Sequence, residues 1–367
     1  MLSVFNSKTS IIIGCVAFIL LQMLILSFAA ADWELVTQLP TERVNFATAV
    51  VDNKVYLIGG SLNEDVRALP PIVPGPFGLS TVDEYDPQTN RWRRRADMPT
   101  PRHGMRSAVV DGIIYVFGGY NAKDNKIWNM KLIRHVEAYN PKTNRWIKKG
   151  NMPVSRIGFD LGVIAGRVYL IGGSTGVGAE HEVAMSRVDV YNPATDMWGK
   201  APDMPTRRDP DNVAVVNNSL YVIGGWPPAA AGRQILTVIE AYDPINHQWE
   251  KKQDMLAAKF GFSTIVIGDE IYLIGGVPGL HIPRQYLATV DVYHPRTETW
   301  RDIPSLPVPM RPFGAVAVNG KIYVFGGVGE GWEFFPDVLV FDTGFRAVEA
   351  TGKLLTRWGG VKGEPKN

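Results

Sequence analysis

WRRRADMPTPRHGMRSAVVDGIIYVFGG, residues 92–119, reads as a polar edge strand opening on Trp92, a Met-Pro-x-x-Arg corner and an apolar strand. A tight turn at Asp111-Gly112 then leads into a second apolar strand that ends on Gly118-Gly119. The parts recur. A Trp is followed 23 residues later by a Tyr in Trp33/Tyr56, Trp92/Tyr115, Trp146/Tyr169, Trp198/Tyr221, Trp249/Tyr272 and Trp300/Tyr323. Each of these Tyr residues opens a Y-x-x-G-G, from Gly59-Gly60 through Gly326-Gly327. A spacing held six times makes this a repeat protein, and a period of about 50 residues points to one closed array.

Composition agrees with a turn-rich folded protein: 46% apolar residues, 37 Gly and 26 Pro in 367. The formal charge of +2, from 38 basic and 36 acidic residues, gives no case for nucleic acid, which wants a strongly basic face.

Residues 1–31 stand apart. Lys8 is their only charge, and Ile11–Phe28 is apolar except for Gln22 and Ser27. Ala29-Ala30-Ala31 then offers a signal-peptidase pattern before Asp32. A cleaved signal peptide and an uncleaved membrane anchor through residues 11–28 both fit. Either way Lys8 favours the N-terminus inside, and the expectation is that the folded part lies outside the cytoplasm. The single cysteine, Cys15, lies in this segment. Disulfides, thiolate catalysis and Cys-based zinc sites are therefore excluded from residues 32–367.

Within each repeat, strand a meets a hairpin turn (Asp52-Asn53, Asp111-Gly112, Asn319-Gly320) and strand b ends at the Gly pair. After a variable loop, strand c reads VDEYDP, VEAYNP, VDVYNP, IEAYDP and VDVYHP, beginning at residues 82, 136, 188, 239 and 290. Alternation marks a half-buried strand, and Asp/Asn-Pro or His-Pro turns it. Strand d begins at the Trp seven residues after the strand-c Tyr.

Six copies of x-R-x-G, Y-x-x-G-G, Y-[DN]-P, W and [ML]-P resemble the kelch repeat over about residues 33–342. The resemblance implies an all-β, six-bladed propeller of four-stranded antiparallel blades, with strand a on the central channel and strand d outermost. The blades fall at 43–96, 102–150, 156–202, 208–253, 259–304 and 310–342. The last repeat lacks a Trp, having Val348 seven residues after Phe341, whereas Trp33–Gln38 is a strand d with no a, b or c before it. The expectation is that Trp33–Gln38 pairs beside Val338–Phe341, completes blade six and closes the ring. Residues 343–367 form a basic tail, in which Phe345–Ala350 could add a short strand, Gly359 onward reads as disordered and Trp358 has no assigned place.

Function in such a fold belongs to the loops and channel mouth. The b–c loops vary most, and they carry Phe77, Trp128, Trp226, Tyr286, Trp332, Phe334 and Phe335 as aromatic candidates for contact; the same rings could simply cover the blade tops. Thirteen residues before each Tyr stand Arg43, Arg102, Arg156, Arg208, Lys259 and, breaking the series, Met310 with Arg311 beside it. As a ring at the mouth they would suit a carboxylate-bearing ligand; as a feature of the repeat they would brace neighbouring blades. Nine residues before the Tyr, Arg106, Asp160 and Asn212 replace the small residues expected where blades converge, and Asp211 stands beside Asn212. Asp160 and Asp211, with Arg106, could act as general acid and base, or the set could be a satisfied buried network. His103 is the one histidine near the mouth; the six are scattered, with no metal-binding pairing, and no cofactor motif is present. Copper oxidases of kelch fold, which use a Tyr-Cys cross-link, are excluded by the cysteine count. Asn217-Asn218-Ser219 is a glycosylation sequon in an a–b turn.

Two readings follow. The first is a monomeric, non-enzymatic, extracytoplasmic binding module that holds a protein or glycan on its b–c loop face, without cofactor or metal. The alternative is a sugar-acid epimerase or mutarotase, as in secreted kelch proteins acting on sialic acid, with the arginine ring holding the carboxylate.

Overall fold

The computed structural model describes residues 32–62, 78–122, 130–175, 184–228, 234–279 and 284–346. It is a six-bladed propeller. Blade two sets the pattern: strands Arg106–Val110, Ile113–Phe117, Val136–Asn140 and Arg145–Lys149 pair antiparallel in the order a-b-c-d. Strand a of every blade touches strand a of the next, round to the first, so these strands line the channel. Five of the six a–b turns take positive φ at both central residues, as at Asp111 (51°) and Gly112 (74°), the geometry that suits a two-residue hairpin. Gly118-Gly119 shows why strand b ends on glycine. Both residues have positive φ, and a Cβ on Gly119 would lie 2.7 Å from the carbonyl oxygen of His103.

The repeated aromatics join one blade to the next. Each strand-c Tyr lies opposite the strand-d Trp of its own blade, as Tyr139 does Trp146 with ring centroids 4.9 Å apart. Tyr56 of the blade before reaches Tyr139 at 6.1 Å, and the Trp146 indole donates to the carbonyl of Ala96 at 2.9 Å. The Met or Leu at each corner (Leu39, Met98, Met152, Met204, Met255, Leu306), followed by proline in every copy but Met255, is buried between blades.

Blade six draws strand d from the other end of the chain. Glu34–Gln38 pairs antiparallel with Phe334–Asp342, with Glu34 opposite Val340 and Gln38 opposite Asp337. Trp33 stacks on Phe341 at 5.2 Å and donates its indole N–H to Pro304 O at 2.9 Å, repeating what Trp146 does in blade two. Thr343–Arg346 adds no strand. Instead Phe345 lies beneath the blade-five and blade-six turns at Gly268 and Gly320. The leader at 1–31, Phe77, Trp128, Trp358 and the tail beyond Arg346 lie outside the described residues. Among the described residues no helix is long and apolar enough to cross a membrane.

Candidate functional site

The starts of all six a strands surround a cavity of about 440 Å³ at one end of the channel. Strand geometry decides which side chains reach it, because successive residues of extended backbone point to opposite sides.

The basic series points away from the cavity. Arg43, Arg102, Arg156, Arg208 and Lys259 are buried, the four arginines completely. Each meets a carboxylate on strand c of its own blade: Arg43 with Asp83, Arg102 with Glu137 at 2.9 Å, Arg156 with Asp189, Arg208 with Glu240 at 2.8 Å, and Lys259 with Asp291 at 2.7 Å. Several also donate to strand-b carbonyls, as Arg208 does to Val222 O at 3.2 Å. The expectation of a cationic ring at the mouth is therefore corrected. These five residues brace strand a to strand c within one blade, neither facing the channel nor bridging neighbours, because only there does the buried charge find its counter-ion. Blade six confirms the pairing by its exception. Met310 stands in place of the arginine and Leu339 in place of the acid, both buried in one apolar cluster. The signal for the acidic partners was available, two residues before the strand-c Tyr in five copies.

Arg311, one residue beyond Met310, does line the cavity. Burial lowers its pKa, with the Asp211 carboxylate opposing. Arg106, Asp160, Asp211 and Asn212 line it too, and they are tied across blades. Arg106 pairs with Asp160 at 3.1 Å. Asp160 accepts from Val213 N at 2.7 Å, and Asn212 donates to Phe262 O at 2.8 Å. That is a satisfied network stitching blades two to five together, so Asp160 and Arg106 are structural in this state. Asp211 differs. Its Oδ1 accepts from Gly261 N at 3.2 Å, but burial outweighs this and pushes its carboxyl up to about 7. The folded carboxyl thus keeps its proton up to about pH 7, while an unfolded one releases it near pH 4. Its contribution is present in full below about pH 4 and is lost as the pH rises through 7. Asp211→Asn, which keeps an oxygen for Gly261, should flatten that part of the stability profile; thermal unfolding followed between about pH 4 and 8 reads it.

His103 is buried against Tyr120, with ring centroids 4.0 Å apart, and burial pushes it down to about 4, so it stays neutral. The expectation that it contacts a ligand is corrected by that packing. Of the loop aromatics, Trp226 lines the cavity and packs on Phe260 at 4.9 Å. Tyr286 rests half-buried on the same small cluster. Trp332 lies half-buried under the Arg284 guanidinium at 4.6 Å. Phe334 is buried and Phe335 half-buried, so they belong to blade six's cover. Among the described residues no group of acidic, His or Cys side chains could hold a metal ion. An epimerase needed the converging arginines, and five of the six basic positions are internal, which leaves that alternative without its carboxylate clamp.

The KLHDC2/KLHL20/DRC7 Kelch-repeats domain profile matches residues 45–276, and the Kelch motif matches residues 258–307 and 309–347. Kelch-like protein terF of Aspergillus terreus is 29% identical over 78% of this chain and 61% of its own length. Kelch repeat and BTB domain-containing protein 12 of Homo sapiens is 32% identical over 66% of this chain and 42% of its own. Alpha-scruin of Limulus polyphemus is 24% identical over 80% and 31%. The chain thus spans less than two thirds of the length of each of these relatives. Among solved structures, that of YjhT superposes with a TM-score of 0.67 at 17% identity, over 87% of this chain and 98% of that one, a likeness of fold. Six blades, one braced repeat and the matching profiles carry the same conclusion: the chain belongs to the kelch-repeat family.

Proposed function

We propose that this propeller is a non-catalytic interaction module, working outside the cytoplasm, that holds a protein partner on its b–c loop face. The observation that carries the reading is the aromatic rim on that face: Trp226 and Tyr286 over blades four and five, and Trp332 stacked beneath Arg284. Trp, Tyr and Arg are the side chains that most often anchor an interface, since each gives a large contact area with a polar handle. The mouth below is polar, and its charges are largely spent on one another, which suits recognition better than chemistry. Aromatic faces also suit a glycan, the second partner class for the same rim. Export rests on residues 1–31, read from sequence.

A photo-crosslinking residue at exposed Glu333, beside Trp332, tests the reading against one at exposed Asp52, in an a–b turn on the opposite face. Protein adducts in the extracytoplasmic fraction are expected at 333 and not at 52. Trp332→Ala should weaken capture about tenfold with unchanged melting. Equal adducts at both positions, or adducts that Trp332→Ala leaves intact, would sink the loop-face assignment.

A further inference from the structure

The small net charge conceals a segregation. Residues 87–150, from the turn before strand d of blade one through blade two, hold fourteen Lys and Arg against four Asp and Glu. The remainder of the chain is correspondingly acidic. Of the described acids of this sector and its border, Asp97 is engaged with Arg94, Asp86 with Lys54 and Glu137 with Arg102, while Asp111 sits in the a–b turn. Arg91, Arg93, Lys142, Arg145 and Lys148 are exposed on the outer rim, with Lys149 half-buried beside them. The two edges form one surface. Ala96, at the end of blade one, receives the Trp146 indole N–H and donates its own N–H to Asn144 at 2.8 Å.

Beside this charge lies an apolar groove of about 560 Å³ on blade two, lined by Ile113, Tyr115, Ala138 and Ile147 between Arg145 and Lys149. Blades one and five fill the equivalent place with polar side chains, whereas blade three, with Val190 opposite Gly199, keeps a smaller groove of about 320 Å³. In blade one Glu84 stands where Ala138 does and pairs with Lys54 and Arg95. In blade five Arg301 stands where Ile147 does and holds Glu270 at 2.7 Å. Blade two has small and aliphatic residues instead, and Ile147 is left 57% exposed. Arg145–Lys149 is also the outermost strand of its sheet, with no strand pairing on its outer side among the described residues. Lysines on an edge strand deter self-association, which accounts for the charges. It does not account for an exposed isoleucine over a groove.

We propose that the outer edge of blade two is a second docking surface, which takes an extended acidic segment of a protein partner alongside Arg145–Lys149. The segment's backbone pairs with the free strand edge, its carboxylates meet the flanking cations, and one aliphatic side chain enters the groove at Ile147. A polysaccharide or polyphosphate would satisfy the cations and leave both groove and backbone edge unused, so the polypeptide fits more of what is there. This surface is independent of the loop-face reading.

The test uses the full chain with labelled (Glu-Val)4, (Glu-Ser)4 and polyphosphate at about 0.15 M salt, where loosely held surface charge is screened. Binding of (Glu-Val)4 is expected, about fivefold or more tighter than (Glu-Ser)4. It should fall about tenfold in Arg145→Glu/Lys149→Glu, fall in Ile147→Ser, and stay unchanged in Trp332→Ala. All three substituted rim side chains are at the surface, and melting curves verify the fold. Failure of (Glu-Val)4 to bind, or equal binding of all three probes with no effect of Ile147→Ser, would overturn the proposal while leaving the loop face untouched.

Discussion

Arg208→Met is expected to destabilise the protein by about 3–5 kcal/mol, because it strands a buried carboxylate. Glu240 is 4% exposed, and Arg208 is its only ionic partner among the described residues; the Thr206 hydroxyl, at 2.6 Å, is too weak to replace it. The double variant Arg208→Met/Glu240→Leu should recover most of that loss, since replacing a buried ion pair by apolar residues of similar volume is often neutral. Blade six already lives with this substitution as Met310 and Leu339. Denaturant unfolding of the wild type, both single variants and the double variant closes a thermodynamic cycle. A double variant as unstable as Arg208→Met would show that the brace acts through more than charge pairing.

Removal of residues 32–40 should cost at least about 5 kcal/mol, or abolish cooperative folding. The segment takes away the buried Leu39 and the packing of Trp33 and Val36, and large-to-small losses at such sites cost about 2–5 kcal/mol each. It also strips the partner from Phe334–Asp342 and opens a long apolar edge. The comparison is thermal unfolding and aggregation of the full chain against the shortened one. A shortened chain that melts with the full one would mean that closure contributes nothing.

Much of this was legible in the sequence because the repeat writes the same physics six times. The 23-residue Trp-to-Tyr interval, the Gly pairs and the orphan strand at Trp33 fixed blade number and closure. Direction was harder. Registering Arg43, Arg102, Arg156, Arg208 and Lys259 on the Tyr located them along the chain, but which side of the backbone they left could not be told without their partners. The joint loss of arginine and acid at Met310 and Leu339 is the trace of those partners in the sequence. His103 looked available because sequence does not show that Tyr120 covers it. The groove at Ile147 depends on what neighbouring blades leave unfilled, which no single repeat displays.

Closure by Glu34–Gln38 also orders events in time. That strand is among the first of the propeller to be made, and its partner at Phe334–Asp342 is the last. Blades one to five can assemble from near neighbours as synthesis proceeds, but the circle completes only when contacts spanning almost the whole chain form. Such long-range pairings are slow. The unfinished species therefore carries two unpaired strands, the point at which the protein is most exposed to misassembly with another copy of itself.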